Sequence, residues 1–355
     1  MKELPHSFVC IMAGGSGERF WPMSRQRTPK HLLKLVSNRT LVEEAVRRVE
    51  RVVPHTHIFV LTNTAQLEST RTALAEVLPP DQIIAEPAKR DTAAAAALAT
   101  GLVRARDPQA VLALLPADAF IRDSATFAAQ LRAGINHAAH TRSLLTFAIK
   151  PKYPATSFGY LEVGDLVAGG HGFRQVVRFV EKPDSATAAK YVASGTFAWN
   201  AGMFVWSVNA FLAEAERHTP MLAKFIKEFP AGDPAPYLAQ HFPTLEPKTS
   251  VDYAIMEKAQ AVETILAEFD WDDVGLWTAL PAHLTADAAG NTIRGHVVSA
   301  GGAGNNIAVS NGRIIALVGV SDLVVVETPD AILVCHKEKV GDIKQLMPHL
   351  PKEVL

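Results

Sequence analysis

Residues 8 to 35 read FVCIMAGGSGERFWPMSRQRTPKHLLKL. An apolar run delivers the chain into a loop holding Gly14, Gly15 and Gly17, with Arg19 just beyond and Lys30 after Pro29. Glycine lets backbone N–H groups approach an anion closely, and successive N–H groups then form a cationic concavity. With the full charges of Arg19 and Lys30 added, the chemistry this spacing serves is the holding of a polyphosphate. The loop is not a P-loop, because no Lys follows Gly17 in the required spacing. It is not a dinucleotide fingerprint either, because GGSGER lacks GxGxxG and no acidic residue closes a second strand about 20 residues on. Taken alone, the glycines would also suit a bland turn. A second group able to do chemistry is Asp118, which ends the apolar run of LLPADAF (114–120).

The elements that must position these groups alternate. Strand-like runs are FVCIMA (8–13), IFVLT (58–62), QIIAE (82–86), VLALLP (111–116) and LLTFAI (144–149). They are short and apolar, as strands buried on both faces are. Between them lie helical patterns. Leu41, Val42, Ala45, Val46 and Val49 form one stripe, with Thr40 and Glu43 spaced as a capping box. The alanine run 93–99 has high helix propensity, and Asp91 precedes it as an expected N-cap. Such alternation predicts βαβ units and a Rossmann-like, mostly parallel α/β sheet. Ligands of open α/β sheets lie at the carboxyl ends of the strands, where the glycine loop and Asp118 both fall.

From about 151 the pattern is less regular. Strand candidates YLEVG, QVVRFVEK and GMFVWS mix with helices near 185–194, 208–217 and 250–259. From 286 onward short β-rich segments separated by Gly, Asn and Asp predict a small all-β module with a terminal amphipathic helix over roughly 339–349. The expected division is a catalytic domain at 1–285, with a nucleotide half to about 150 and an acceptor half beyond it, and a β-rich domain at 286–355.

Composition bounds the partners. The 355 residues are 48% hydrophobic and 20% charged, with a formal net charge of -1. No overall basic field exists to draw nucleic acid or an anionic membrane, so an anionic ligand must be held by a local cluster. Cys10 and Cys335 each sit in an apolar run and are expected as buried thiols, which favours a reducing compartment. The first ten residues lack the apolar stretch of a signal peptide, and no run of 18 apolar residues exists, so the cytoplasm is the expected location.

The longer pattern GGxGxR-(F/L)-x-P-(M/L)-(S/T)-x(4)-PK resembles the signature of sugar nucleotidyltransferases. The resemblance implies a glycosyltransferase-A-like domain whose loop wraps a nucleoside triphosphate. It assigns Ala13, Gly14, Gly15, Ser16 and Gly17 to the nucleotide, with Arg19 and Lys30 as neutralising charges. EPAKRDTAAA (86–95) looks like the stretch of the mannose-1-phosphate guanylyltransferase branch and adds Glu86, Arg90 and Thr92. Asp91 stands where that branch usually has Asn, and Ala94 where it has Pro. Glu86 has a physical use: guanine shows two adjacent donors, and one carboxylate can accept both. The alternative is an ion pair between Glu86 and Lys89 or Arg90.

FDWDDVGLW (269–277) is similar to the family's W-x-D-V-G-x-W and aligns Asp273, not Asp272, with its carboxylate. The resemblance implies that Asp118 and Asp273 share one Mg²⁺ or another divalent cation. Relatives usually carry His after the first Asp, where this chain has Ala119. FGYLEVG, FVEKP, WNAGMFVW and SVDYAIMEK resemble the acceptor half of the same branch. They place Gly159, Glu181 and Asn200 on the sugar and Lys182 on its phosphate, and leave Asp252 and Glu257 to orient groups or merely to follow a helix cap. Trp199 and Trp206 read as core. The tail resembles the family's short β-helix-like end module and is the expected site of homodimer contacts, and a monofunctional enzyme without an isomerase domain is expected.

The implied reaction is GTP + α-D-mannose 1-phosphate → GDP-mannose + diphosphate. The sugar phosphate, with a second pKa of about 6, needs no general base. Catalysis then reduces to positioning and charge neutralisation by Arg19, Lys30, Asp118, Lys182 and Asp273. Other readings are a guanylyltransferase for manno-heptose or glucose 1-phosphate, a different nucleotide, and a non-catalytic nucleotide-sugar sensor.

Overall fold

A computed structural model describes residues 4, 6–15, 17–170 and 172–355. Nine strands build the central sheet: β1 Ser7–Met12, β2 Ile58–Asn63, β3 Ile83–Glu86, β4 Val111–Pro116, β5 Leu144–Ile149, β6 Tyr160–Leu166, β7 Arg174–Val180, β8 Phe197–Ser207 and β9 Val262–Leu266. Their order is β3-β2-β1-β4-β8-β5-β9-β7-β6. β1 to β4 are parallel, as alternation with helices dictates. Beyond β4 the sheet becomes mixed but stays mostly parallel: β9 runs parallel to β5, and of these nine strands β7 and β8 alone run against the rest. β8 runs antiparallel to both β4 and β5, and β7 runs antiparallel to β6 and β9. The cause is local: β6 and β7 are joined by a short connection that can only form a hairpin, and β8 returns against it.

β8 stitches the halves together. Its first part pairs with β6 (Tyr160 opposite Trp199) and its second with β4 (Leu114 opposite Phe204). Gly202, at φ 65°, bends it between the two. β9 has no counterpart among the strands read from sequence, because polar Glu263 and Thr264 interrupt its apolar run.

Alternate residues of β1 feed two cores. Val9 and Ile11 face one layer, Phe8 and Cys10 the other. The helix Thr92–Arg106 is buried from Ala93 to Val103, and its Gly101 packs so closely on the Phe229 ring that a Cβ would lie 2.8 Å from it. Asp91 caps that helix, accepting from Thr92 N at 2.8 Å. Thr40 caps Leu41–Val49 by accepting from Glu43 N at 3.2 Å, which is half of the expected box. The third helix expected from sequence, near 250–259, is instead a π-helical turn over Asp252–Met256.

The tail stacks short strands. β10 Thr292–Arg294, β12 Ile307–Val309 and β14 Leu323–Glu327 are parallel and in register, β15 Ile332–His336 closes that sheet antiparallel, and β11 Val297–Ala300 pairs with β13 Ile315–Val318. Buried Asn306 ties successive rungs: its amide donates to Asn291 Oδ1 at 2.9 Å and its carbonyl oxygen accepts from Leu323 N at 2.9 Å. The terminal segment is a 3-10 helix over Lys337–His349 rather than an α-helix, with Gly341 and Pro348 breaking the α pattern.

The module shares most of its core with the catalytic domain. Ile307, Val309, Val324, Val326 and Leu333 share one core with Phe20, Trp21, Leu33 and Leu41 of the opening segment and with Val274 and Trp277. Trp21 Nε1 donates to the Val354 carbonyl at 2.8 Å. The tail therefore braces the back of the glycine loop. Both cysteines are free. Cys10 is buried, while Cys335, on β15, is partly exposed rather than buried as expected. Among the described residues no helix is long and apolar enough to cross a membrane.

Candidate active site

Two cavities open at the carboxyl ends of the strands, and Pro116 and Asp118 line both. The first, of about 390 Å³, lies among the glycine loop, Lys30, the end of β3 and the start of the Thr92–Arg106 helix. The second, of about 250 Å³, lies among Gly159, Glu181, Lys182, Asn200, Asp252 and Asp273.

In the first cavity Gly14 and Gly15 face open space, where no protein atom lies within 4 Å of a built Cβ. Packing does not require glycine at either position, so the open side fits a ligand that must approach the backbone. Gly17 differs. It adopts φ 64°, and a Cβ there would collide with the Lys30 backbone and side chain. Ala13 lines the cavity, but its N–H donates to the Leu61 carbonyl and its own carbonyl accepts from Thr62 Oγ1. Ser16 falls outside the described residues. Arg19 is exposed on the turn Glu18–Phe20 and lines neither cavity. The structure therefore does not bring Arg19 to the cavity where the expected contact with a leaving diphosphate would be made.

Glu86, at the end of β3, is partly buried and lines the first cavity. Desolvation, reinforced by the charge of Asp91, pushes its carboxyl up to about 8. The alternative ion pair is absent among the described residues: Arg90 points to Glu246 at 3.6 Å, and Lys89 has no carboxylate partner. Thr92 Oγ1 accepts from Val251 N at 2.9 Å, and the Thr249 carbonyl accepts from Ala93 N at 3.1 Å. These bonds staple the 248–251 segment across the helix start and bring Lys248 to the cavity wall.

Lys30 joins the two cavities. It is only 8% exposed, which excludes a solvated surface lysine. Its Nζ donates to Asp118 Oδ2 at 2.9 Å and to the Asp273 carbonyl at 2.5 Å. A backbone bridge holds the two aspartate segments together: Phe120 N donates to the Asp272 carbonyl at 2.8 Å and Asp272 N to the Phe120 carbonyl at 3.0 Å. The adjacent aspartates part company there. Asp272 Oδ2 binds His283 at 2.8 Å and its Oδ1 accepts from Val274 N at 2.7 Å, whereas Asp273 lines the second cavity. Val274 is held at φ 44°, a costly conformation for a β-branched residue, and the Asp273 carboxylate lies against Gly275, where a Cβ would sit 2.7 Å from Oδ2.

Electrostatics separate the two carboxyls. Burial raises Asp118, but the Lys30 charge and hydrogen bond outweigh it and hold Asp118 below the usual range. Asp273 is pushed up to about 6, first by desolvation and then by Asp272 and Asp118, with Lys30 opposing. Asp273, raised by its burial and in part by Asp118 beside the cavity, is a carboxyl whose ionised form a dication would favour. Among the described residues no set of three or more His, Cys, Asp or Glu could hold a metal, so an ion between these two would take its other ligands from phosphate and water.

In the second cavity Lys182 is exposed, sits at φ 45° and pairs with Glu181 at 2.7 Å. Gly159 is there for Glu181, because a Cβ would overlap its carboxylate. Asn200 is buried and largely committed to protein: Oδ1 accepts from Thr146 Oγ1 at 2.7 Å, and Nδ2 donates to Asp252 at 3.0 Å. Desolvation and then Glu181 push Asp252 up to about 6. Trp199 and Trp206 are core, as read, while Trp271 lines the cavity against Phe158. Ala119 is buried, and its carbonyl accepts from Arg48 at 3.2 Å.

Residues that sequence reasoning did not single out include Lys248 and His31. His31 lines the first cavity and is buried with Nε2 unpartnered; desolvation holds its ring down to about 4, Lys30 adding to the effect and Asp118 opposing it. The only sequence signal for His31 was its place after Lys30.

A nucleotidyl transferase family model matches residues 9–289, most of the chain. The chain belongs to the nucleotidyl transferase family. Residues 295–350 match the mannose-phosphate isomerase/GMP-like β-helix domain, so this nucleotidyl transferase couples an α/β fold to a β-helix-like end. It is 34% identical over 344 residues to the xanthan biosynthesis protein XanB of Xanthomonas campestris, covering 96% of this chain and 72% of that one. It is 33% identical over 362 residues to the mannose-1-phosphate guanylyltransferase of Escherichia coli K12, covering 97% and 73%. The crystal structure of a mannose-1-phosphate geranyltransferase from Thermus thermophilus superposes with a TM-score of 0.87 at 29% identity, covering 97% of this chain and 99% of that one.

Proposed function

We propose that this chain catalyses GTP + α-D-mannose 1-phosphate → GDP-mannose + diphosphate, as the names of its relatives suggest. The observation that carries the reading is the junction: Asp118 lines both cavities, and one ammonium, from Lys30, touches both Asp118 and the Asp273 carbonyl. A nucleotide in the first cavity and a sugar phosphate in the second would meet there.

Each residue then has a task. The open backbone at Gly14 and Gly15 cradles the triphosphate, with Arg19 recruited as the loop closes on it. Glu86, unpaired in the ligand-free cavity, accepts from N1–H and the 2-amino group of guanine, which supports GTP over UTP or dTTP. Lys182 holds the acceptor phosphate, and Glu181 bonds the hexose. The Asn200 side chain, tied to Thr146 and Asp252, acts mainly by positioning Asp252 toward the sugar. Asp118 and Asp273 would hold one divalent cation, Mg²⁺ by its preference for oxygen, which supplies the charge that lets two phosphates approach. The sugar phosphate is already ionised near pH 7, so the protein contributes position and charge rather than a base.

We assign the nucleotide to residues up to about 150, the acceptor to 151–285 and the brace to 286–355. Exposed Val298, Ile314 and Val318 make the tail the proposed homodimer surface, with light scattering on Val318→Lys as its check. Free thiols suit the cytoplasm. The reading is tested by measuring diphosphate release from four nucleoside triphosphates crossed with mannose, glucose and heptose 1-phosphates. GTP with mannose 1-phosphate should be the fastest pair, and a faster rate for another pair would replace this substrate assignment.

A further inference from the structure

We propose that the cleft between the catalytic domain and the β-module is a separate binding site for a small phosphate-bearing anion. The cleft, about 320 Å³, is walled on one side by the turn carrying Leu32, Leu33 and Lys34 and on the other by Arg294, Asn311 and Thr328 of the tail. Among the described residues no Asp or Glu lines it.

Arg294 is the anomaly. Its guanidinium is half-buried, and Nη2 donates to a neutral acceptor, the Ser37 carbonyl, at 2.9 Å. Desolvation alone lowers its pKa, and no carboxylate offsets it. The other buried arginines are compensated: Arg48 feels Glu44 and Asp270, and Arg106 feels Asp81. Lys34, on the facing wall, forms no ion pair among the described residues. Two acidic side chains of the tail stand behind the cleft wall, and each is engaged by protein donors. Glu327 accepts from Asn311 N at 2.8 Å and Arg313 N at 3.2 Å, and Asp330 pairs with Arg25 at 2.7 Å and also accepts from Thr328 Oγ1 at 2.9 Å.

Arg294 is half withdrawn from water with only a neutral acceptor, which is unfavourable, and exposed Lys34 lines the same cleft. An anion between the two pairs with both. A guanidinium with free N–H groups, an ammonium and the Asn311 amide suit the oxygens of a phosphate dianion. The space leaves room for a small organic group beyond the phosphate. The site also has a position relative to the chemistry: Leu33 N donates to the Lys30 carbonyl at 3.0 Å, so the anion would sit on the reverse of the turn that holds Lys30.

The test is calorimetric titration of inorganic phosphate and of glycerol phosphate into the full chain, its Lys34→Met/Arg294→Met double variant and, as a control for the substrate cavities, Lys30→Met. Phosphate binding should weaken at least about tenfold in the double variant and persist in Lys30→Met, as expected when charge-assisted hydrogen bonds are lost. Tighter binding of the ester would mark a phosphorylated metabolite as the ligand, and equal binding would mark free phosphate. Double-variant binding equal to that of the unaltered chain would overturn the proposal. A melting series in phosphate-free buffer keeps it falsifiable if the double variant folds poorly. Arg294→Met should melt no lower than the unaltered chain, because it removes an uncompensated cation. A clear drop, with phosphate raising both melting points equally, would instead make Arg294 only a tie to Ser37.

Discussion

The sharpest expectation concerns Glu86 and pH. Burial and Asp91 hold its carboxyl near 8 in the ligand-free cavity. At pH 7 such a group is ionised in roughly one molecule in ten, and shifting it costs about 1.4 kcal/mol, a factor of ten in affinity. Guanine offers two donors, so it binds the ionised form and releases a proton from the rest. GTP affinity should therefore rise roughly tenfold per pH unit up to about 8 and level off above it, with close to one proton released per GTP near pH 6. The sign for the empty protein is the reverse. Its carboxyl is raised from the ordinary 4.5, so the folded chain loses stability as pH climbs from there toward 8. Calorimetry in two buffers of different ionisation enthalpy reads the proton directly. Glu86→Gln should abolish both pH effects and cut the preference for GTP over UTP by roughly 10–100-fold, the worth of a charged hydrogen bond. GTP affinity that stays flat from about pH 6 to 8 in the unaltered chain would refute the reasoning.

Three further outcomes follow from particular contacts. Lys182→Ala should lose on the order of 10²–10³ in turnover while melting normally, since the side chain is exposed and its proposed task is to hold the acceptor phosphate; near-normal turnover in a diphosphate-release assay counts against its role. Asp272→Asn should lower the melting temperature, through the lost His283 and Val274 partners, more than it lowers GTP or mannose 1-phosphate affinity, and Asp273→Asn should do the opposite. Gly17→Ala should displace Lys30 and cost about 1–3 kcal/mol of stability together with turnover, because the Cβ meets Lys30 backbone and the backbone φ is left-handed.

The parts of this fold governed by local chemistry were legible before any coordinates. β1 to β5 fall within a residue or two of the apolar runs, and Asp273 rather than Asp272 lines the second cavity. What escaped was non-local. The reversal of β8 depends on pairing partners that no period reveals, and β9 hid behind Glu263 and Thr264. Lys248 reaches the first cavity through two bonds between its segment and a helix more than a hundred residues away. The terminal amphipathic stripe was real, but its helix closed in three-residue turns. Arg19 was placed by its motif, yet the structure leaves it exposed and away from both cavities. Even the expected module boundary hides a shared core, so truncation near 285 should expose Phe20, Trp21 and Trp277 and cause aggregation rather than yield a clean monomer.

The central claim is that Asp118 and Asp273 act as one unit on a single phosphate encounter. A double-mutant cycle on diphosphate release tests it, using Asp118→Asn, Asp273→Asn and both together. Each single change should cost on the order of 10²–10³ in turnover, and the pair should cost little more than either alone, because the unit is already broken. Losses that multiply in the double variant, or a single change that leaves turnover intact, would contradict it.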